Sequence, residues 1–199
     1  MAELLAPAGS LDNVFTAIDA GADAVYFGGK SFNARRFAHN LDDDEIVRAV
    51  RTAHLFGVKV YVTVNILMAD TELDDLTIYL KSLDKAGVDG IIVQDMAVAL
   101  LARRVVPDLP LHGSTQMTVA DSDGVRFLEE NGFTQAVLSR ELSLADIQSV
   151  CASSPLAIEV FIHGASCMAY SGQCLMSSFL GGRSLAASPI LWFATAKTS

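Results

Sequence analysis

A chain of 199 residues, 51% hydrophobic and 19% charged, is long and apolar enough to bury a sizeable core, which excludes an intrinsically disordered polypeptide. Its formal net charge of −9 argues against the broad basic face by which a protein binds nucleic acid through phosphate neutralisation alone; only the small clusters Arg35–Arg36 and Arg103–Arg104 stand out. The start, MAELLAPAGS, has no signal-like apolar run, and no stretch approaches the roughly 18 apolar residues of a membrane span, so a soluble, cytoplasmic protein with no membrane contact is expected.

In chain order, a first strand is expected over 3–6, followed by the turn-like APAGS and a helix. A unit then recurs four times, in AGADAVYFGG, FGVKVYVTVN, AGVDGIIVQD and NGFTQAVLSRE: a helical pattern ends at glycine and an apolar run follows. Glycine just past a helix end takes the left-handed conformation that closes the last turn. A continuous apolar run is the mark of a strand covered on both faces. Strands are expected over 23–27, 58–64, 89–93, 111–115, 135–139 and 156–162, with helices between them. DDDE at 42–45 and SLAD at 143–146 read as helix N-caps with an acid three residues on. The helix over 71–86 places Leu73, Leu76, Leu80 and Leu83 on one face, as core residues, with its start at Asp70 or Thr71.

Seven parallel strands joined by helices suit an open doubly wound sheet or a TIM-type (β/α)8 barrel. An open nucleotide-binding sheet wants a glycine-rich turn after its first strand, and APAGS is poor in that role. The barrel is the better reading because polar residues recur where each strand ends: Asn65, Gln94 and Asp95, Gln116, Arg140 and Glu141, then His163. In a barrel these ends share one mouth, where active sites sit. Single polar residues also mark the places where strands meet water, so the recurrence carries the argument rather than any one position. Seven βα units are clear; the eighth strand is either missing or replaced by the C-terminal tail around PILWFATA. The domain is accordingly read as 1–184, with a divergent tail over 185–199 that suggests truncation or an altered frame.

The sequence has no H-E-x-x-H, no G-x-S-x-G elbow and no P-loop. Arg140 could orient an anionic substrate and Glu141 could hold a proton; equally, the two could pair with each other or with a neighbouring loop. Three cysteines, in a chain expected to be cytoplasmic, do not make a disulfide framework. His163, Cys167 and Cys174 lie within twelve residues and offer metal-ligating groups, but structural zinc and iron–sulfur clusters both need four ligands. Cys151, the remaining thiol, falls in the helix before the seventh strand and reads as a small buried residue.

The segment EVFIHGASCMAYSGQCLMS closely resembles the signature of the collagenase-like peptidase family U32, through Glu159, Phe161, His163, Gly164, Cys167, Ser171, Gly172, Cys174 and Ser177. The likeness extends through ELLAPAGSLDN, AGADAVYFGG with FNAR, VYVTVN and LSRELSL, over about residues 3 to 184, and FGGKSFNARRFAHN is most similar to the ribosomal RNA hydroxylase branch. The resemblance implies a barrel with a four-iron, four-sulfur (4Fe-4S) cluster and oxygen-independent hydroxylation of an rRNA or tRNA base; related members assist ubiquinone hydroxylation. It implies prephenate as a small-molecule participant and further domains for RNA contacts. Cys167 and Cys174 match the first two cluster ligands. The family's other two follow in a segment resembling R-G-x-C-x-x-P-C-R, where this chain runs LAASPILWFATAKTS, so a cluster is not expected to assemble in this chain alone. Expected site residues are His163, Glu141, Arg140 and Asn65 for catalysis and Arg35, Gln94, Asp95 and Gln116 for substrate. Proteolysis of a protein or peptide substrate, resting on the family's older name and the His163/Cys167 proximity, is the rival activity. A third reading is an inactive fragment whose open edge pairs with a second copy.

Overall fold

The structure, a computed structural model, describes residues 2–33, 40–163 and 169–174, and the backbone of 195–198. Strands β1 (Glu3–Pro7), β2 (Ala24–Gly28), β3 (Lys59–Val64), β4 (Gly90–Val93), β5 (Leu111–Gly113), β6 (Gln135–Val137) and β7 (Ala157–Phe161) alternate with helices α1 (Leu11–Asp19), α2 (Asp43–Leu55), α3 (Leu73–Ala86), α4 (Met96–Val105), α5 (Ser122–Glu130) and α6 (Leu144–Ser153). Neighbours from β1 to β7 pair in parallel. The eighth position is filled by β8 (Thr195–Thr198), antiparallel to both β7 and β1, which closes the barrel. Of the two expectations for that position, replacement by the tail is the one observed. The strand overlaps only the last two residues of PILWFATA and runs on into Lys197 and Thr198.

Local chemistry accounts for these elements. Gly21, Gly57, Gly87 and Gly132, the four glycines of the recurring unit, all have φ between 72° and 87°, a conformation in which a Cβ is costly. The N-caps stand where the sequence put them: Asp42 and Glu45 bond each other's backbone N–H at 2.9 Å, and Ser143 and Asp146 form a second reciprocal cap. The Glu45 N–H and the Lys30 ammonium at 3.0 Å hold the Asp42 carboxyl below its usual range. The helix expected from 71 starts as a 3-10 turn at Asp70–Glu72, and its α-helical part begins at Leu73.

Alternation along each strand divides its residues between two environments. Val25, Phe27, Val60, Val62, Ile91 and Val93 face outward and join one core with Leu76, Leu80 and Leu83 of α3. Leu5, Ala24, Tyr26, Tyr61 and Ile92 form a separate cluster, the barrel lumen. The lumen is not wholly apolar. The His112 ring meets Tyr61 of this cluster edge-on at 4.5 Å between centroids, and the Gln135 amide donates to the Glu159 carboxylate at 2.5 Å. Tyr61 donates to Glu3 at 3.3 Å, and Lys59 pairs with the same carboxylate at 3.2 Å. Burial, then the Glu3 carboxylate, pushes the Tyr61 phenol above its usual range, so it stays protonated and donating.

Glu159 and Gln135 are both almost fully buried, so losing the amide removes a charge-assisted bond away from bulk solvent. Gln135→Ala is expected to lower the unfolding free energy by about 2 kcal/mol, read as a shifted midpoint in urea denaturation; an unchanged midpoint would contradict a paired lumen.

Candidate active site at the barrel mouth

The carboxyl ends of β3 to β7 bring most of the expected site residues to one rim. Asn65 is half-buried directly after β3. Gln94 follows β4 with its Oε1 buried and without a hydrogen-bond partner among the described residues. Gln116 sits in a 3-10 turn after β5, and Arg140 and Glu141 follow β6. His163, just past β7, is exposed. Arg35 and Cys167 lie outside the described residues.

Asp95 is held by its own backbone surroundings. One carboxylate oxygen caps α4 through the Ala97 N–H at 2.8 Å, and the other accepts the Met68 N–H at 2.9 Å. These two bonds tie the turn after β4, next to Gln94, to the segment that follows β3.

Arg140 and Glu141 do not pair with each other; both bind the neighbouring loop, through one serine. Ser171 is fully buried. Its N–H and hydroxyl donate to Glu141 Oε1 at 2.8 and 3.1 Å. Its Oγ lies 3.2 Å from the Arg140 N–H and 3.3 Å from Arg140 Nε, and its carbonyl accepts from the Thr118 hydroxyl at 2.9 Å. Next in the chain, Gly172 has φ 77°, and a Cβ there would stand 2.5 Å from Thr118 Oγ1 and closer still to the Gln116 carbonyl. The Arg140 guanidinium lies 5.9 Å from the Phe161 ring centroid, and its Nη1 is buried without a partner among the described residues. Ser171, Gly172 and Phe161 were visible in the sequence as parts of a motif, without a role. Thr118 gave no signal, and its left-handed backbone, φ 59°, shows only in three dimensions.

Cys174 is a free, half-buried thiol three residues beyond Ser171. Cys151 packs against the outer core near the end of α6, which runs back from the mouth. No group of three metal-ligating side chains forms among the described residues. With three cysteines in the sequence, the chain alone does not fit a four-thiolate cluster. The histidine–carboxylate pair His54–Asp89, at 2.8 Å, sits at the barrel's other end; Asp89 also accepts the Val60 N–H at 2.7 Å and so staples α2 to β3 and β4.

Residues 9–187 match the model of peptidase family U32. The chain is 42% identical over 181 residues to tRNA hydroxylation protein P1 of Bacillus subtilis, covering 91% of this chain and 43% of that protein. It is 44% identical over 182 residues to the 23S rRNA 5-hydroxycytidine C2501 synthase of Escherichia coli, covering 92% of this chain and 27% of that protein. The chain thus spans less than half the length of these relatives. Among solved structures, the U32 peptidase Mk0906 superposes with a TM-score of 0.65 at 15% identity, over 77% of this chain and 66% of that one, a likeness of fold. No helix among the described residues is long and apolar enough to cross a membrane.

If Asp95 acts as a cap, Asp95→Ala is expected to cost about 1 kcal/mol of stability, seen as a lowered thermal midpoint. Asp95→Asn keeps one acceptor for the cap but turns its amide NH2 toward the Met68 N–H, so it is expected to recover only part of that loss; equal loss in both variants would point away from capping.

Proposed function

The chain belongs to peptidase family U32, and on that footing we propose that it forms the substrate-binding barrel of an enzyme that hydroxylates a base of ribosomal or transfer RNA without molecular oxygen. The observation that carries this reading is the 42% and 44% identity, over 91% and 92% of the chain, to two proteins named for tRNA hydroxylation and rRNA 5-hydroxycytidine synthesis. The mouth has compatible chemistry. An unstacked base presents a flat face and an edge of donors and acceptors. Phe161 offers a ring, Arg140 a fork of donors and Gln94 an amide oxygen with no partner among the described residues. In this reading Arg35, Gln94 and Gln116 hold the substrate, Asn65, Arg140 and His163 stand nearest the reacting base, and Asp95 supports the Gln94 turn.

A chain of net charge −9 is poorly equipped to hold RNA phosphates by itself. Those contacts fall to Arg35, Arg36 and the remainder of a longer protein. The proposal includes a 4Fe-4S cluster with Cys167 and Cys174 as two of its four thiolates, the set being completed outside this chain, and prephenate as the small-molecule participant. Proteolysis, the activity in the family's name, is the second reading. A thiol peptidase needs a nucleophile, a base and a group that orients the base. His163 is exposed and has no such orienting partner among the described residues.

The test is nucleoside mass spectrometry of rRNA and tRNA from a host lacking its own RNA hydroxylases and expressing the full-length protein that carries this barrel. One nucleoside is expected to gain one oxygen atom, and Arg140→Ala to reduce the yield by about tenfold or more, the effect of roughly 1.4 kcal/mol on the barrier. No new hydroxylated nucleoside, together with peptide cleavage that vanishes in Cys167→Ser, would replace this reading with the proteolytic one.

A further inference from the structure

We infer that Ser171, Glu141 and Thr118 form a latch that positions the Cys174 loop on the tips of β5 and β6, Ser171 and Glu141 acting as positioning residues. The geometry is that of a built seat rather than a chance contact. Ser171 is wholly buried, so each of its polar atoms must find a partner within the protein. All of them do, and the partners come from two other loops: the Glu141 carboxylate takes its N–H and O–H, while Thr118 reaches its carbonyl. Gly172 adds a steric key. At φ 77° and against the Gln116 carbonyl and Thr118, that position has room for no side chain. The turn is then closed by the Gln173 N–H on the Tyr170 carbonyl at 3.0 Å and by the Gln173 amide on Thr118 at 3.3 Å. Three residues of chain reach at most about 11 Å, so pinning Ser171 confines Cys174 to the neighbourhood of the rim.

The latch also explains how Arg140 and Glu141, adjacent in sequence, avoid neutralising each other. Glu141 Oε1 is taken by both donors of Ser171, and the Arg140 guanidinium lies beside the Phe161 ring with its Nε directed to the same serine hydroxyl. Glu141 thus serves as an acceptor for two fixed donors. A neutral glutamine retains that acceptor, whereas alanine leaves the Ser171 N–H and O–H buried and unanswered. This assignment stands on the geometry whatever reaction the mouth carries out.

Iodoacetamide labelling of the full 199-residue chain, followed by peptide mass spectrometry, separates Cys174 from Cys151, which serves as the internal control. Glu141→Ala and Ser171→Ala are expected to raise the labelling rate of Cys174 about tenfold or more with Cys151 unchanged. Glu141→Gln should stay within about twofold of the parent, and Thr118→Val should give a smaller rise at Cys174 alone. The latch is overturned if Cys174 labels at the parent rate in Glu141→Ala and Ser171→Ala, or if glutamine behaves as alanine does. It is equally overturned if Cys151 rises in step with Cys174 in all of these variants, Thr118→Val included, because the bonds would then hold the whole barrel rather than one loop.

Discussion

Every strand of a barrel has one face against the helices and one toward the lumen, and this two-sided burial governs the molecule. The outer face must be apolar because helices press on it, and the alternating Val25 and Phe27 of β2, Val60 and Val62 of β3, and Ile91 and Val93 of β4 meet that demand. The lumen face is freer, provided polar groups are answered within it. Leu5, Tyr26, Tyr61 and Ile92 fill one side, while Gln135 bonded to Glu159 occupies another. At the carboxyl tips helices no longer cover the chain on both faces, and there polar side chains collect, some of them still buried.

Those tips do two kinds of work. Some residues hold the rim together: Asp95 caps a helix and receives a loop N–H, and Glu141 with Thr118 seats Ser171. Others are left with capacity to spare, notably the Gln94 amide oxygen and Arg140 Nη1, both without partners among the described residues. On the proposed function, a rim that spends some carboxylates on its own backbone, and keeps a guanidinium free of its neighbouring acid, would receive a polar, electron-rich ligand. The acidity of the chain as a whole then matters less at the mouth than the local arrangement.

Much of the fold was legible because it rests on short-range rules. The four glycines past helix ends, the reciprocal caps at Asp42 and Ser143, and the leucine face of α3 are all local, and each stands as read. The misjudged boundaries have local causes too. The fifth strand stops at Gly113 rather than 115, because Ser114 accepts the Gln116 N–H and turns the chain into a 3-10 helix. The sixth stops at Val137, and α3 begins two residues late behind its own 3-10 turn. At the site, the rim positions of Asn65, Gln94, Arg140 and His163 followed from strand ends alone. Their partners did not, since Ser171 lies 30 residues from Glu141 and Thr118 a further 23 residues before that.

The sequence by itself determined the repeating unit, the outer core, the convergence of strand ends on one mouth and, through its motif, the family. These depend on periodicity and on residues whose conformational preferences act within a few positions. Tertiary structure alone decided that an antiparallel strand from the tail closes the barrel, that the lumen is partly polar, and that Arg140 and Glu141 turn to the cysteine-bearing loop rather than to each other. Such choices depend on which buried donor meets which acceptor once distant segments are packed, and spacing along a chain carries no information about that.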